Sequence, residues 1–178
     1  MVVAASLCVK KGVVLGQCLV LLRALLRVTL PHSYSATPLW LLAGNICRGG
    51  EHLPALHPAM PAVLASLAAH GGEEDVVKNA LYCLAHLADH PQVRADVEQC
   101  IVLALGSLTA HVCEPVAIPG VAFLAALGRR EDRVRALRQC GALAVVQRVV
   151  DAGHPSKALA VDTAFLLERL QHRGALGR

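Results

Sequence analysis

The chain has 178 residues, a length that predicts one folded domain, and its formal net charge of +4 is too small to indicate a nucleic-acid-binding surface by itself. Apolar residues make up 55% of the chain but aromatic residues only 3%, so Leu, Val and Ala must fill the core. The seven cysteines are an odd number without a CxxC pair, which favours a reducing compartment over a disulfide framework.

Residues 1–36 are predicted to form an N-terminal apolar helix or partial repeat, whose helical part runs from Val14 to Leu26. Lys10 and Lys11 precede this stretch as in a signal peptide, but Arg23 interrupts it before it reaches the ~20 apolar residues of a membrane span. We therefore expect a buried helix and no membrane span. The start of the chain is free of acidic residues and contains arginine, which leaves mitochondrial targeting open as an alternative.

A repeat of about 40 residues organises the rest of the chain. Segments 81–100 and 121–140 align without a gap at an offset of 40 residues and share the ending Gln-Cys. Extending this frame gives four apolar helical anchors, which begin at Leu42, Cys83, Phe123 and Leu166. Apolar residues at i, i+1 and i+4 mark one face of a helix in each anchor. Further apolar helices are predicted over 60–69, 101–110 and 142–150, and short polar helices over 93–98 and 133–138.

Helix breakers fall between these predicted helices. Gly71 and Gly72 end one helix, and Glu73, Glu74 and Asp75 place acidic side chains at the start of the next, where they suit the helix dipole. Later turns are predicted over 89–91, at residue 128 and over 153–156. The Pro-Gly pair at 119–120 predicts an irregular start to the third anchor helix.

Three helices in ~40 residues resemble the unit of armadillo repeats, whereas HEAT units have two. CGALAVVQRVVDAG, at 140–153, is similar to the armadillo second helix, and KNALYCLAHLADHP, at 78–91, is similar to its third helix and following turn. The resemblance covers 37–170, with 171–178 as a short tail. It implies an all-α fold, a right-handed α-solenoid of about four armadillo-like repeats.

In armadillo proteins the third helices line a concave groove, where asparagines bind the backbone of an extended peptide. Asn45 occupies the matching slot of the first anchor, and LWLLAGNICR resembles the WxLxNLCR-type segment of importin-α. Trp40, however, stands five residues before Asn45, where the family pattern has four. The later slots carry His86, Ala126 and Arg169, so a regular ladder of Trp and Asn is absent.

The candidate partner-binding residues are therefore Trp40, Asn45, Tyr82 and His86. Tyr82 and His86 would supply an aromatic edge and a titratable hydrogen-bonding group. The alternative for Trp40 and Tyr82 is that their rings fill the core.

No catalytic or cofactor-binding motif accompanies the repeats. The sequence lacks the GxxxxGK[ST], GxGxxG and GxSxG patterns, so we expect no enzyme activity and no cofactor. Cys83, His86 and His90 have helical spacing for zinc, but they supply only three ligands and Pro91 ends the helix, so we expect no metal. The arginines of 129–138 are interrupted by acids, which predicts a solvated, partly ion-paired face and no nucleic-acid site.

The resemblance implies a non-catalytic adaptor or scaffold that presents a concave groove to a peptide segment of a partner protein, in the cytoplasm, the nucleus or both. Two alternatives stay open. The chain could be a structural or regulatory arm of a larger protein, kinase-like or cytoskeletal, or it could be an importin-α-like nuclear import adaptor that binds Lys/Arg-rich peptides.

Overall fold

A computed structural model describes residues 60–88 and 96–172 of the chain. These residues form seven α-helices and no strand: α1 (Met60–Ala69), α2 (Glu74–Leu87), α3 (Val97–Ala110), α4 (Glu114–Gly128), α5 (Glu131–Gln139), α6 (Ala142–Asp151) and α7 (Lys157–Gln171). This part of the chain is all-helical, consistent with an α-solenoid. The predicted N-terminal helix, the first anchor with Trp40 and Asn45, the turn at 89–91 and residues 173–178 lie outside the described residues.

The predicted helices lie close to the observed ones. Helix α1 spans the predicted segment 60–69, while α3 and α6 contain the other two second helices. The three later anchors lie in α2, α4 and α7. The short polar helix 133–138 lies within α5. Of the one predicted over 93–98, residues 93–95 lie outside the described residues, and Val97 and Glu98 form the first turn of α3.

The helices form two layers. Helix α4 packs between α2 and α7, and α3 packs between α1 and α6. The layers contact each other through the pairs α1–α2, α3–α4 and α6–α7, while α5 packs against α4, α6 and α7. The turns of successive units are also joined, because His111 Nε2 donates to the Gly71 carbonyl oxygen at 2.7 Å. This arrangement keeps equivalent helices side by side, as stacking of repeats requires.

The Pro-Gly pair does not disturb the third anchor helix, and that prediction is wrong. Helix α4 begins at Glu114 and runs unbroken through both residues to Gly128. Pro119 lacks an N–H and so omits one bond of the helix, while Gly120 allows α3 to approach closely. A Cβ at Gly120 would lie 2.7 Å from Leu108 Cδ2, so the position accepts no side chain without a shift.

Arginines bind the carbonyl ends of the described helices α2, α4 and α7. Arg133 of α5 donates to the Ala88 carbonyl at 2.6 Å at the end of α2, and Arg169 of α7 donates to the Gly128 carbonyl at 3.1 Å at the end of α4. Arg138 of α5 donates to the carbonyls of Arg169, Leu170 and His172 at the end of α7. These bonds satisfy carbonyls that a helix leaves unpaired, and the positive charge suits the helix dipole.

The expectation that the arginines of 129–138 form a solvated face is therefore wrong for Arg133, whose residue surface is 3% exposed. Arg138 is half-buried, and only Arg129 and Arg135 are exposed as predicted. The ion pair between Arg130 and Asp132, 3.3 Å apart, confirms that part of the cluster is paired with its own acids. It also lowers the pKa of the Asp132 carboxyl, through the hydrogen bond from Arg130.

Candidate protein-binding surface

The third helices turn equivalent side chains towards solvent. Helices α2 and α4 correspond at an offset of 40 residues, and α4 and α7 at an offset of 43. The solvent-facing positions on the three helices form three rows, which we call the third-helix surface. Its rows are Lys78, Ile118 and Val161; Tyr82, Ala122 and Phe165; and His86, Ala126 and Arg169.

Apolar side chains occupy most of this surface. Val161 is 68% exposed, the highest value among the large apolar residues of the described segments, while Ile118 and Phe165 are half-buried against the core. In the second row the small side chain of Ala122 stands on the helix between those that carry Tyr82 and Phe165. The second row therefore has a small side chain on the middle helix and an aromatic side chain on each neighbouring helix.

Tyr82 and His86 form the edge of the surface on α2. They lie one helical turn apart, both half-buried, with ring centroids 5.0 Å apart and ring planes inclined at 46°. The structure thus brings these two candidates together on one side of α2. Their role in binding stays a prediction, as does that of Trp40 and Asn45.

The last two asparagine slots of the armadillo pattern hold groups of a different kind. The Arg169 guanidinium in the last slot donates to the Gly128 carbonyl and pairs with Glu131 Oε2 at 2.6 Å. Ala126, in the preceding slot, has no polar side-chain atom. These two slots therefore hold one engaged guanidinium and one methyl group, neither of which can bind a peptide unit as an asparagine amide does.

Charges around the third-helix surface largely compensate one another. The Lys78 ammonium lies 2.6 Å from Asp75 Oδ1, one turn earlier on α2. On α7, burial raises the pKa of the Asp162 carboxyl, and the positive charge of Arg129 partly offsets this shift. A dense acidic field of the kind that attracts Lys/Arg-rich peptides is therefore missing from the described rows.

Sequence reasoning missed Ile118, Val161 and Phe165 as surface residues. Each precedes an asparagine slot by four or eight positions, so each lies on the same side of its helix as the slot. The repeat frame contained this signal, because positions equivalent to Tyr82 on the following helices are Ala122 and Phe165.

The described residues hold no group of three or more His, Cys, Asp or Glu side chains that could bind a metal ion. Cys83 is buried in the core and His90 lies outside the described residues. Burial also raises the pKa of the Cys100 thiol to about 11, which keeps it protonated and poorly nucleophilic at neutral pH. The four cysteines at 83, 100, 113 and 140 are free thiols. No described helix is long and apolar enough to cross a bilayer.

Comparison with known proteins finds a distant relationship. The chain is 28% identical to importin subunit alpha-8 of Arabidopsis thaliana over 124 residues, which cover 66% of this chain and 27% of that protein. The chain thus spans about a quarter of the length of this relative. No family model matches the chain. No solved structure matches it either. The similarity hints at an armadillo-like relationship, in agreement with the all-helical structure.

Proposed function

We propose that this chain is a non-catalytic armadillo-type adaptor that binds a peptide segment of a partner protein on the third-helix surface. The observation that supports this function best is the apolar row of Tyr82, Ala122 and Phe165, which stays partly exposed although the same helices bury their other sides. The similarity to importin subunit alpha-8 supports the armadillo type. The fold we propose is a right-handed solenoid of about four repeats.

The partner segment carries large apolar side chains. One such side chain lies over Ala122, in contact with the rings of Tyr82 and Phe165, and a second contacts Val161. The polar edge at His86 binds the partner backbone, because imidazole can donate or accept according to its protonation state. We expect the protein in the cytoplasm, the nucleus or both, with no cofactor.

A nuclear import adaptor is the second candidate, and the similarity to importin subunit alpha-8 is the observation that favours it. Such an adaptor needs to recognise Lys/Arg-rich peptides. The engaged Arg169 and the apolar Ala126 in the later slots, together with the paired charges around the surface, favour an apolar ligand instead. Asn45 and Trp40 are the residues through which an import adaptor would act first.

Selection from phage-displayed random peptides on the full chain separates these candidates. We expect enriched peptides with large apolar side chains, and binding of a synthetic enriched peptide at least about 10-fold weaker to Ala122→Glu, since a buried carboxylate opposes an apolar side chain. Tyr82→Ala with His86→Ala should also weaken binding. Ala110→Glu, an exposed position on α3, is the matched control and should change nothing.

The competing outcomes are distinct. Enrichment of Lys/Arg-rich peptides, bound more tightly by Ala122→Glu, would replace the apolar-ligand proposal with the import adaptor. Absence of any enriched peptide on a chain that circular dichroism shows to be helical would reject a peptide-binding surface and leave the structural arm of a larger protein as the leading function.

A further inference from the structure

The last described helix exposes the face that its two predecessors bury. In α2 this face consists of Val77, Leu81 and Leu84, with Ala88 directly after the helix. In α4 it consists of Ala117, Val121, Leu124 and Gly128, and all of these residues are buried. The equivalent residues of α7 are Ala160, Ala164, Leu167 and Gln171, of which three are exposed and Leu167 is half-buried. We call these four residues the end face.

The buried versions of this face contact the following helix. A Cβ at Gly128 would lie 3.1 Å from Leu166 Cδ2 and 3.5 Å from Phe165 Cε1, both on α7. Position 128 therefore marks the side of α4 that α7 covers. By the same register the end face is a stacking surface, and it adjoins a shallow open depression lined by Ala164, Leu167, Glu168, Gln171 and His172.

Two opposite charges lie beside the end face and are complementary to each other. Lys157 and Glu168 are exposed, lie on the same side of α7 as Ala160 and Ala164, and stand 11 positions apart. If two α7 helices pair in antiparallel orientation about a midpoint between positions 162 and 163, Lys157 of each meets Glu168 of the other. In the same register Val161 meets Ala164, so small apolar side chains fill the centre.

We propose that the end face binds the end face of a second copy of this chain, which forms a two-fold symmetric dimer with the α7 helices antiparallel. A two-fold interface must be complementary to itself, and the Lys157 and Glu168 charges meet this requirement. The small side chains of Ala160 and Ala164 let the helices approach closely. Val161 lies within the helix contact of this dimer, whereas Tyr82 and Ala122 of the third-helix surface stay accessible on each copy.

A charge swap tests the dimer in the full chain. Mass in solution is measured by sedimentation over a wide concentration range, after circular dichroism has shown each variant to be folded. We expect a dimer that dissociates on dilution. Lys157→Glu and Glu168→Lys should each raise its dissociation constant about 10-fold or more, because each places like charges opposite one another twice. The double variant should restore the wild-type value.

The control is Glu98→Lys, an exposed position in the first turn of α3 away from the end face, which should leave the dissociation constant unchanged. The proposal is overturned if the wild-type chain is a monomer at every concentration. It is equally overturned if the single variants keep the dimer, or if the swap fails to restore it, because the end face then binds another occupant, such as a different segment of this chain or a different protein.

Discussion

Two helical glycines of this protein should respond in opposite directions to the same substitution. Alanine in a helix interior is about 1 kcal/mol more favourable than glycine. At Gly106 in α3 a new Cβ meets no heavy atom within 4 Å, so Gly106→Ala should raise the free energy of unfolding by about that amount. At Gly120 in α4 the new Cβ would lie 2.7 Å from Leu108 Cδ2 and 3.0 Å from its Cγ.

Leu108 is 1% exposed and packed on every side, so it has little room to move away. Overpacking of this kind costs about 1–3 kcal/mol, which equals or exceeds the gain in helix propensity. We therefore expect Gly120→Ala to be neutral or to lower the free energy of unfolding by up to about 2 kcal/mol. The two variants should differ by about 1–3 kcal/mol.

Urea unfolding followed by far-ultraviolet circular dichroism measures both variants against the wild type. A double variant makes the cause specific. Leu108→Ala alone should cost about 2–5 kcal/mol, but it removes the clash, so adding Gly120→Ala in that background should be stabilising. If Gly120→Ala is as stabilising as Gly106→Ala in the wild-type background, the close approach of α3 and α4 is not as described and the reasoning fails.

Three further predictions concern single side chains. Arg133→Ala should lower the free energy of unfolding by about 1.5–3 kcal/mol in urea unfolding, because it leaves the Ala88 carbonyl without its charged donor, whereas the exposed Arg135→Ala should change it by less than about 0.5 kcal/mol. Equal effects of the two substitutions would contradict the role of Arg133 as the cap of α2. The Cys100 thiol has its pKa raised from 9.0 to about 11, so the unfolded chain loses its proton first and the free energy of unfolding should fall as the pH rises from 9 to 11. Cys100→Ala should lack this part of the pH dependence. If the free energy of unfolding of this variant falls with pH as steeply as in the wild type, Cys100 is not the group responsible. Ser156→Ala should lower the melting temperature, because the Ser156 hydroxyl accepts the Leu159 N–H at the start of α7 and loss of this cap costs about 1 kcal/mol of stability. Ser156→Asp should keep the cap and the melting temperature. An equal loss of stability in the aspartate variant would contradict the role of Ser156 as a cap.

Much of the helical layout follows from the sequence because apolar periodicity and turn residues act locally. Gly71 and Gly72 separate α1 from α2, and Glu74 and Asp75 occupy the first turn of α2 as predicted. The Ser107 Oγ donates to the Leu103 carbonyl at 2.9 Å, a local bond typical of a hydroxyl within a helix. The offset of 40 residues identified α2 and α4 as equivalent helices, which the packing of the two supports.

The features that sequence reasoning missed depend on distant contacts. Pro119 and Gly120 read as helix breakers, yet the close approach of Leu108 makes a glycine suitable at that place. Arg133 read as a surface charge because nothing near it in sequence shows that the carbonyl end of α2 lies within reach. Only part of the third-helix surface can be predicted from the sequence, again because the rest depends on distant contacts. Tyr82 and His86 share one helix, whereas Phe165 joins them only through the stacking of three helices.

The arginine caps couple the unfolding of neighbouring units. The carbonyl end of α2 is satisfied from α5, that of α4 from α7, and that of α7 from α5. Unfolding of α5–α7 therefore removes the Arg133 and Arg169 donors on which the ends of α2 and α4 depend, so the free energy of this interface includes two helix ends as well as apolar area. In a one-dimensional array this raises cooperativity. The described units should melt in a single step, and fraying from α7 should loosen the end of α4 before it reaches α2.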